Sequence, residues 1–579
     1  MYVRLHNCQY LKSFYTLGGS GEDCQENIVD MEAQITAMLP VLDGGSTIEI
    51  CNKLQEFNKE YAQTFTFGHL QTDTKKKFVT SLFKVLNLQT DPECVHLCLE
   101  AIRILTREKT RMFLLEEPEG VNVLLRLAGL TNGCYEINPE IITEAQKCMC
   151  NLIYLSTKVQ RICGASDECT ANLLARVKQY HNTAMTDDIK FFDMRFLFLL
   201  TALCPNLRVR VRSEYDGVAI LTELLETTCL ESSQAAASGT VAASEPDKLT
   251  EKQTDMACEI LKAVFNTIIH ATVHEIGGES DNVLKKQGQL LRRLLMAESI
   301  SDDKTDELCS QTINVLTCHL PSACINELIP EANEGAVGGR AMYNGHNMDA
   351  LVRILNFVEQ RIDKSHTRGT GKGMVELLSP SFSALSVLSK SNRNIRKFLR
   401  ELVLPPLKDA SKLPEEGSDL RNKLVRLMTS TSTDVKESVA DFLFILCKES
   451  VERLIKYTGY GNAAGMLARR GLLLGGRGSQ DYSSDEEDSD TEEYQSIRDQ
   501  INPVTGRIEP ERTDPMEGMT EEQKEFHAHE LAEMITRMSR EGVIQPMAVG
   551  EDGNLVPLEE RMAAAVLEET PPSSDSDGE

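Results

Sequence analysis

The chain has 579 residues, more than the roughly 250 that one hydrophobic core can serve, so several domains or an open-ended repeat are expected. With 41% hydrophobic and 26% charged side chains, it is too apolar to be disordered throughout. Its net charge of −27 lies mostly in residues 481–579, which hold 28 acidic and 7 basic side chains, and such an acidic tail argues against nucleic-acid binding.

The cysteine pattern and the apolar segments of the sequence indicate the cellular compartment of the protein. The 17 cysteines form no C-x-x-C pair and fit neither a zinc module nor a small secreted disulfide framework, so reduced thiols in a cytoplasmic protein are expected. The most apolar run, residues 191–204, is too short to span a membrane and contains Asp193 and Arg195, which favours a core helix. The first 25 residues lack a signal-peptide core, so neither export nor direct membrane insertion is expected.

After an N-terminal extension at residues 1–29, amphipathic helical windows follow one another with short connections, and we predict helices without any sheet. The most apolar windows begin at residues 98, 145, 191, 257, 309, 381 and 438. The shorter gaps between them are close to the armadillo and HEAT period of roughly 40–47 residues, and polar stretches such as 231–253 are predicted loops. We therefore predict an all-α, armadillo/HEAT-like right-handed superhelical solenoid over residues 30–478, with these windows as the innermost helix of each repeat.

The composition changes abruptly after residue 478. The stretch 481–494 is acidic and has no apolar periodicity. We predict an acidic linker over 479–518, an amphipathic docking helix over 519–545 and an acidic, largely disordered tail over 546–579.

The predicted docking helix has a clear start and one apolar face. Thr520 and Gln523 have the spacing of a capping box. The apolar stripe consists of Phe526, Leu531, Met534, Ile535 and Met538. An isolated amphipathic helix of this kind needs a surface to lie on.

No motif in the chain predicts catalysis. His270 and His274 have helical spacing, but the zinc-protease pattern needs a glutamate directly after the first histidine, and Glu275 follows the second. The glycines of 458–465 follow a helix and not a strand, so we predict a tight turn between helices there. We expect no cofactor, no metal site and no enzyme active site.

Two charged features stand out from the background. A basic stretch on the late repeats contains Arg396, Lys397, Arg400, Arg421, Lys423 and Arg426, for which a solvated face is an equally good interpretation. Ser484 and Ser489 each have a glutamate three residues on, the pattern that an acid-directed kinase recognises. We hypothesise that the phosphorylated segment folds back on these basic residues and fixes the tail helix over the repeats.

Long stretches of the sequence allow a family comparison. They include AIRILTREK, KCMCNLIYLS, DIKFFDMRFLFLL, NIRKFLRELVLPPL, KYTGYGNAAGMLARRGLL, INPVTGRIE and DPMEGMTEEQKE. On these stretches the chain closely resembles, from about residue 50 to 560, the synembryn ("resistance to inhibitors of cholinesterase") family, more the A-type than the B-type. The resemblance implies an armadillo-like superhelix that is a folding chaperone and non-receptor guanine-nucleotide exchange factor for heterotrimeric G-protein α subunits.

The resemblance also implies which residues bind the partner. The carboxy-terminal helix of the α subunit would contact Arg103, Arg107, Asn151, Phe192 and Phe265. The arginines would meet its carboxylates, the asparagine its backbone and the phenylalanines its apolar face. Ordinary repeat packing is the alternative for both phenylalanines.

The resemblance further implies the regulation and location of the protein. Ser484 and Ser489 fall where family members are phosphorylated by casein kinase II, and the tail helix would support the nucleotide-binding elements. The expected partner is a GDP-bound or nucleotide-free α subunit without βγ, which would recruit a cytoplasmic monomer to the plasma membrane or cell cortex. The alternative function is an armadillo-type scaffold or adaptor that binds an extended peptide or helix without nucleotide exchange.

Overall fold

The computed structural model describes residues 26–65, 67, 70–88, 91–108, 113–131, 138–180, 185–236, 248–276, 278, 280–331, 341–367, 378–478, 482, 491–509, 516 and 518–562. These residues belong to two compact units that divide between Glu327 and Leu328. Among the described helices, none has the length and apolar character that crossing a bilayer requires.

The first unit is built almost entirely from helices. They are α1 (Glu26–Gly44), α2 (Thr47–Tyr61), α3 (Thr72–Leu88), α4 (Pro92–Leu105), α5 (Pro118–Leu127), α6 (Pro139–Leu155), α7 (Thr157–Ala165), α8 (Asp167–Val177), α9 (Asp187–Leu203), α10 (Pro205–Ser213), α11 (Gly217–Ala236), α12 (Glu251–Ile268), α13 (Val273–Ile276), α14 (Asp281–Met296), α15 (Asp302–Leu316) and α16 (Ser322–Leu328). A 3₁₀ turn at Phe113–Glu116 precedes α5.

Two layers of helices form this unit. In one layer, α2, α4, α6, α9, α12 and α15 each pack along the next, and α1, α3, α5, α11 and α14 pack against this layer. The apolar windows that begin at residues 98, 145, 191, 257 and 309 lie on α4, α6, α9, α12 and α15. The predicted all-α repeat fold is therefore confirmed, and these five windows lie in one shared layer of helices.

Local sequence explains where the layer helices begin. The side chains of Ser46 and Thr250 accept hydrogen bonds from the third residue of α2 and α12, in complete capping boxes. Proline occupies the first position of α4 and α6. A backbone N–H at this position has no acceptor within the helix, so its absence in proline does not destabilise the helix. Apolar side chains every three to four residues then bury one face, and each fully buried one contributes about 1.5–3 kcal/mol.

A buried ion pair lies inside α9, the helix that contains most of the apolar run 191–204. Asp193 is fully buried and accepts two hydrogen bonds from the Arg176 guanidinium, at 2.5 and 2.7 Å, and one from the Gln146 amide at 2.5 Å. The aspartate that interrupts the apolar run is therefore satisfied within the core and joins α6, α8 and α9. Removing either partner of such a pair costs about 3–5 kcal/mol.

Short strands correct the prediction that the chain contains no sheet. Four two-stranded pairs occur among the described residues: β1 (Lys248–Leu249) with β2 (Glu298–Ser299), β3 (Met342–Tyr343) with β4 (His346–Asn347), β5 (Ile501–Asn502) with β6 (Arg507–Ile508), and β7 (Met547–Val549) with β8 (Leu555–Pro557). The first pair is parallel and the others are antiparallel. Strands of two or three residues are too short to show period-two alternation in a sequence.

The predicted loop at 231–253 is also shorter than expected. Helix α11 extends to Ala236, and β1 and the capped start of α12 occupy the end of the stretch. Residues 237–247 lie outside the described part of the chain.

The second unit contains further helices: α17 (Asp349–Thr367), α18 (Ser379–Ser391), α19 (Arg393–Val403), α20 (Leu420–Leu427), α21 (Thr433–Leu446), α22 (Val451–Thr458), α23 (Tyr460–Arg470), α24 (Glu492–Ile497) and α25 (Glu521–Arg540). The apolar windows that begin at residues 381 and 438 lie on α18 and α21, which pack against each other. A 3₁₀ turn at Arg498–Gln500 follows α24.

The glycine-rich stretch 458–465 forms the predicted turn between helices. Gly459 alone separates α22 from α23, at a φ of 72°. Beyond it, the N–H groups of Tyr460 and Gly461 donate to the carbonyls of Pro503 and Val504, at 2.8 and 2.9 Å. Part of the predicted linker thus packs on this turn.

Candidate partner-binding surface

Two layer helices of the first unit repeat one polar pattern. Helix α6 has Glu144, Lys147 and Asn151, and α12 has Glu259, Lys262 and Asn266 at the same spacing. In each helix the glutamate accepts a hydrogen bond from the lysine three residues on, at 3.0 Å in α6 and 2.8 Å in α12. The sequence therefore repeats E-x-x-K-x-x-x-N on two helices with the same internal contact.

Each of these glutamates also binds an arginine on the preceding helix of the layer. Glu144 accepts from Arg103 on α4, and Glu259 accepts from Arg195 on α9 at 2.6 Å. Both carboxylates are 3% exposed or less, although their cations remain partly exposed. Each buried carboxylate thus orients two cations from two helices.

We call Arg103, Glu144, Lys147 and Asn151 the first rung and Arg195, Glu259, Lys262 and Asn266 the second rung. Burial opposes the charge of Glu259, but Lys262 and Arg195 offset this effect and lower the pKa of the carboxyl. The glutamate is therefore ionised at neutral pH, and the cations of the second rung outnumber its one carboxylate.

The asparagines link the same pairs of helices. The Asn151 amide donates to the Thr106 hydroxyl at 3.2 Å, and the Asn266 amide donates to the Thr201 hydroxyl and the Phe198 carbonyl, both at 3.2 Å. Asn151 is half-buried, whereas Asn266 is 7% exposed. Of the two, Asn151, the predicted backbone-binding residue, is the more accessible.

Aromatic rings lie beside the lysines of both rungs. Lys147 Nζ is 5.5 Å from the centre of the Phe192 ring, and Lys262 Nζ is 4.8 Å from that of Phe198. Phe192 packs edge-on against Phe191, 5.3 Å away. Phe192 is half-buried, so it is not an ordinary core residue, and the structure brings it together with the first rung.

Phe265 and Arg107 have different surroundings. Phe265 is half-buried and directly precedes Asn266 of the second rung. Arg107 lies past the end of α4, donates to the carbonyls of Ala62 and Thr64 at 2.7 and 2.9 Å, and stacks on the Phe65 ring at 4.8 Å. These hydrogen bonds pair backbone carbonyls at the carboxyl end of α2. Arg107 therefore has a structural role besides its predicted role in partner binding.

The basic residues of the second unit fall into different environments. The Arg396 guanidinium lies 4.8 Å from the ring of Tyr482, whose hydroxyl donates to Glu449 at 3.2 Å. Glu449 is 2% exposed and also lies 3.6 Å from Lys390. Arg396 therefore contacts Tyr482, the described residue that most closely precedes Ser484 in the sequence.

Arg400 and Arg421 lie near one tyrosine. The Arg400 guanidinium donates to the Tyr457 hydroxyl at 3.5 Å, and Arg421 is close enough to the same tyrosine to interact with it electrostatically. Burial lowers the pKa of Arg421. Lys397, on the same helix as Arg400, is half-buried.

Lys423 and Arg426 have partners within the second unit. Lys423 forms ion pairs with Glu359 and Asp363, both at 2.8 Å. Arg426 donates to the carbonyls of Glu415 and Gly417, at 2.6 and 2.9 Å. Ser484 and Ser489 lie outside the described residues.

The tail helix α25 buries none of its side chains. The capping box of Thr520 and Gln523 is present, as predicted. Four members of the predicted stripe are 42–67% exposed, and only Met538 is half-buried: Phe526, Leu531, Met534, Ile535 and Met538. Met516 and Met519 join the stripe at a groove of about 440 Å³.

Several residues of this surface were not predicted from the sequence. The missed residues are Glu144, Lys147, Arg195, Glu259, Lys262, Asn266 and, in the second unit, Tyr482. The repeated E-x-x-K-x-x-x-N pattern was a usable signal for five of them, whereas nothing local in the sequence indicates the contact between Tyr482 and Arg396. Within the described part of the chain, no three His, Cys, Asp or Glu side chains are arranged to hold a metal ion.

Known proteins resemble this chain over most of its length. A family model described as guanine nucleotide exchange factor synembryn, Ric8, matches residues 98–554. A Gallus gallus protein named Chaperone Ric-8A is 40% identical over 553 residues, which covers 94% of this chain and 99% of the relative. Its Xenopus laevis namesake is 41% identical over 551 residues, with the same coverage.

Solved structures give a weaker likeness. A crystal structure of an engineered protein aligns over 76% of this chain and 84% of its own, with 16% identity and a TM-score of 0.43. The names of the sequence relatives agree with the A-type resemblance. Since the family model covers well over half of the residues, the chain belongs to the synembryn (Ric8) family of guanine nucleotide exchange factors.

Proposed function

We propose that this chain is a chaperone and guanine-nucleotide exchange factor for heterotrimeric G-protein α subunits, and that the two rungs bind the carboxy-terminal helix of the α subunit. The family assignment supports the activity. The observation that supports the site is the repeated pair of buried glutamates, each of which orients two partly exposed cations on adjacent layer helices.

The rungs suit a helix with acidic side chains. Arg103 and Lys147 of the first rung are already held by Glu144, so binding a carboxylate costs little additional side-chain entropy. Charge-assisted hydrogen bonds from arginine to a carboxylate are among the strongest in proteins. The half-buried rings of Phe192 and Phe265 provide the apolar contact that an amphipathic helix also needs.

Exchange requires no nucleotide site on this chain. A protein that binds the nucleotide-free α subunit more tightly than the GDP-bound one shifts the population toward release. A hundredfold difference in affinity corresponds to about 2.7 kcal/mol. The same preference for an incompletely assembled α subunit explains a chaperone function.

The phosphorylated segment would dock on α19. Its two flanks bind near opposite ends of that helix: Tyr482 stacks on Arg396, and the Thr491 hydroxyl donates to the Leu407 carbonyl at 2.6 Å. Arg400 lies between these two points along α19. Phosphates on Ser484 and Ser489 would therefore enter a region that already contains arginines. The glutamate three residues after each serine supports casein kinase II as the modifying enzyme.

The decisive experiment measures GDP release from a purified inhibitory-class α subunit, with and without this chain. Faster release together with a stable nucleotide-free complex supports the exchange-factor proposal. Lys262→Glu should weaken the complex at least tenfold. The matched control is Lys252→Glu, which should not weaken it, because the Lys252 side chain is 82% exposed and its ammonium pairs with Asp187. Binding without faster release would favour the adaptor alternative.

The remaining features of the proposal concern location and assembly. We propose a cytoplasmic monomer that reaches the plasma membrane or cell cortex through its lipidated partner, without inserting into the bilayer itself. Sedimentation of the chain with α-subunit-loaded vesicles, compared with bare vesicles, tests this directly. Binding to bare vesicles would contradict recruitment through the partner.

A further inference from the structure

Three cysteines meet near the start of the first unit, away from the proposed rungs. Cys51 lies on α2 and is partly exposed, whereas Cys94 and Cys98 lie one turn apart on α4 and are buried. The Cys94 thiol is hydrogen-bonded to both of the others. All the other described cysteines except Cys204 are buried.

The register of the two helices independently places Cys51 opposite Cys94. Helices α2 and α4 pack side by side. The Asn58 amide donates to Glu100 at 3.2 Å, a separation of 42 residues, and Arg107 donates to the Thr64 carbonyl, a separation of 43 residues. Cys51 and Cys94 are also 43 residues apart, so the same alignment of the two helices places them side by side.

The surroundings of Cys94 favour a thiolate. It is the third residue of α4, where the helix dipole stabilises negative charge, and its N–H donates to the Asp91 carboxylate at 3.0 Å. Hydrogen bonds from Cys98 and Cys51 lower its pKa to about 7, against burial and the carboxylates of Asp91 and Glu93. Burial and the neighbouring Cys94 raise the pKa of Cys51 to about 12, so the negative charge of the pair lies on the Cys94 sulfur and the proton stays on Cys51.

We propose that Cys51 and Cys94 form a reversible disulfide when the protein meets hydrogen peroxide, which covalently joins α2 to α4. The Cys94 thiolate attacks the O–O bond of the peroxide and becomes a sulfenic acid, and the departing hydroxide takes the proton of the neighbouring Cys51 thiol to give water. The Cys51 thiolate formed in this way then attacks the Cys94 sulfur, the S–O bond breaks, and the hydroxide that leaves takes a proton from solvent to give a second water. The two sulfurs lose two electrons, which reduce the peroxide.

The disulfide would fix the helix pair whose far end holds Arg103 and Arg107. It would close a loop of about 43 residues, and loops of this size lower the entropy of the unfolded chain substantially. The melting temperature of the first unit should therefore rise by about 5 °C or more on oxidation and fall back on reduction.

The experiment treats the full-length chain with one to ten equivalents of hydrogen peroxide, alkylates the remaining thiols and maps peptides by mass spectrometry. We expect one peptide pair linked through Cys51 and Cys94, two hydrogens lighter than the reduced peptides and released by dithiothreitol. Cys51→Ser should abolish the linkage and the rise in melting temperature. Cys204→Ser, at another partly exposed cysteine whose thiol donates to the Gln160 carbonyl, should leave both unchanged.

The pH dependence supplies a second measurement. The rate of linkage should rise through about pH 7 in the unmodified chain, and Cys98→Ser should shift this rise to higher pH because one hydrogen bond to the thiolate is weakened. Full alkylation of both thiols after peroxide treatment would overturn the proposal. Stable sulfinic acid at Cys51, or a Cys94–Cys98 linkage that persists in Cys51→Ser, would also overturn it.

Discussion

Arg195 on α9 donates to the Glu259 carboxylate on α12 at 2.6 Å, and the same carboxylate accepts from Lys262 at 2.8 Å. Because Glu259 is 2% exposed, its neutral replacement removes a buried negative charge that Arg195 and Lys262 both contact. We expect Glu259→Gln to lower the free energy of unfolding by about 3 kcal/mol. Urea denaturation of the full-length chain, followed by circular dichroism, measures this loss.

The matched control is Glu307→Gln on α15, the next helix of the layer. Glu307 is 31% exposed and lies 3.4 Å from Lys304, so its removal should cost less than about 1 kcal/mol. Equal losses in the two variants would show that the buried position of Glu259 makes no difference.

The second rung should also give a defined pH dependence. The pKa of Glu259 lies below the ordinary value of 4.5 because Lys262 and Arg195 favour the ionised form more than burial disfavours it. The contribution of this carboxylate is therefore complete above pH 4.5 and is lost as the pH falls through the lowered pKa. We expect the stability difference between the unmodified chain and Glu259→Gln to be constant at neutral pH and to shrink in acid. A difference that grows in acid would contradict this assignment.

Two phenylalanines on α9 should separate binding from stability. Phe192 is half-buried beside Lys147, so Phe192→Ala should weaken α-subunit binding roughly tenfold with little change in unfolding. Phe196 is 1% exposed, so Phe196→Ala should instead cost about 3–5 kcal/mol of stability. Calorimetric titration and urea denaturation of both variants test the pair. If Phe192 only stabilises the fold, Phe192→Ala would instead lower the free energy of unfolding and leave α-subunit binding unchanged.

The turn at Gly459 gives a third prediction. A Cβ at this position would lie 3.0 Å from the Thr505 carbonyl, and the φ of 72° disfavours any other residue. We expect Gly459→Ala to destabilise the second unit by about 2–3 kcal/mol. Gly465→Ala, inside α23 with no atom within 4 Å of the added Cβ, should instead stabilise it by up to about 1 kcal/mol. Thermal unfolding of the two variants should therefore shift in opposite directions.

Periodicity revealed the layer helices because each one buries a face of regularly spaced apolar residues, which is a local property of the sequence. The rungs were missed because their contacts are not local: 41 residues separate Arg103 from Glu144, and 64 separate Arg195 from Glu259. A buried glutamate also looks the same in a sequence as an exposed one. The family resemblance indicated Arg103, which the structure places in the first rung, but it did not indicate Lys147.

The second unit shows the same limit. Six basic residues predicted to bind phosphate could be found by composition, but not their partners. Lys423, Arg426 and Arg396 each contact acceptors within the unit, and Arg396 also meets Tyr482. Only the folded chain shows which of these basic residues also lies beside the acidic segment.

Charge reversal should distinguish these two groups. After casein kinase II treatment, Arg396→Glu with Arg400→Glu should increase the protease sensitivity of residues 481–542, because phosphates on Ser484 and Ser489 would face carboxylates. Without kinase treatment, the increase in the double variant should be smaller, because only the contact between Arg396 and Tyr482 is then lost. Limited proteolysis with mass spectrometry measures both states.

The control for this prediction is Lys423→Glu, which loses ion pairs to Glu359 and Asp363. It should lower the stability of the second unit modestly but leave the protease sensitivity of the phosphorylated segment unchanged, since the Lys423 ammonium is already neutralised by its neighbours. If Lys423→Glu and the double variant have the same effect on cleavage, the segment responds to the general charge of the unit. Site-specific docking on α19 requires that only the double variant exposes the segment, and that it does so more strongly when the serines are phosphorylated.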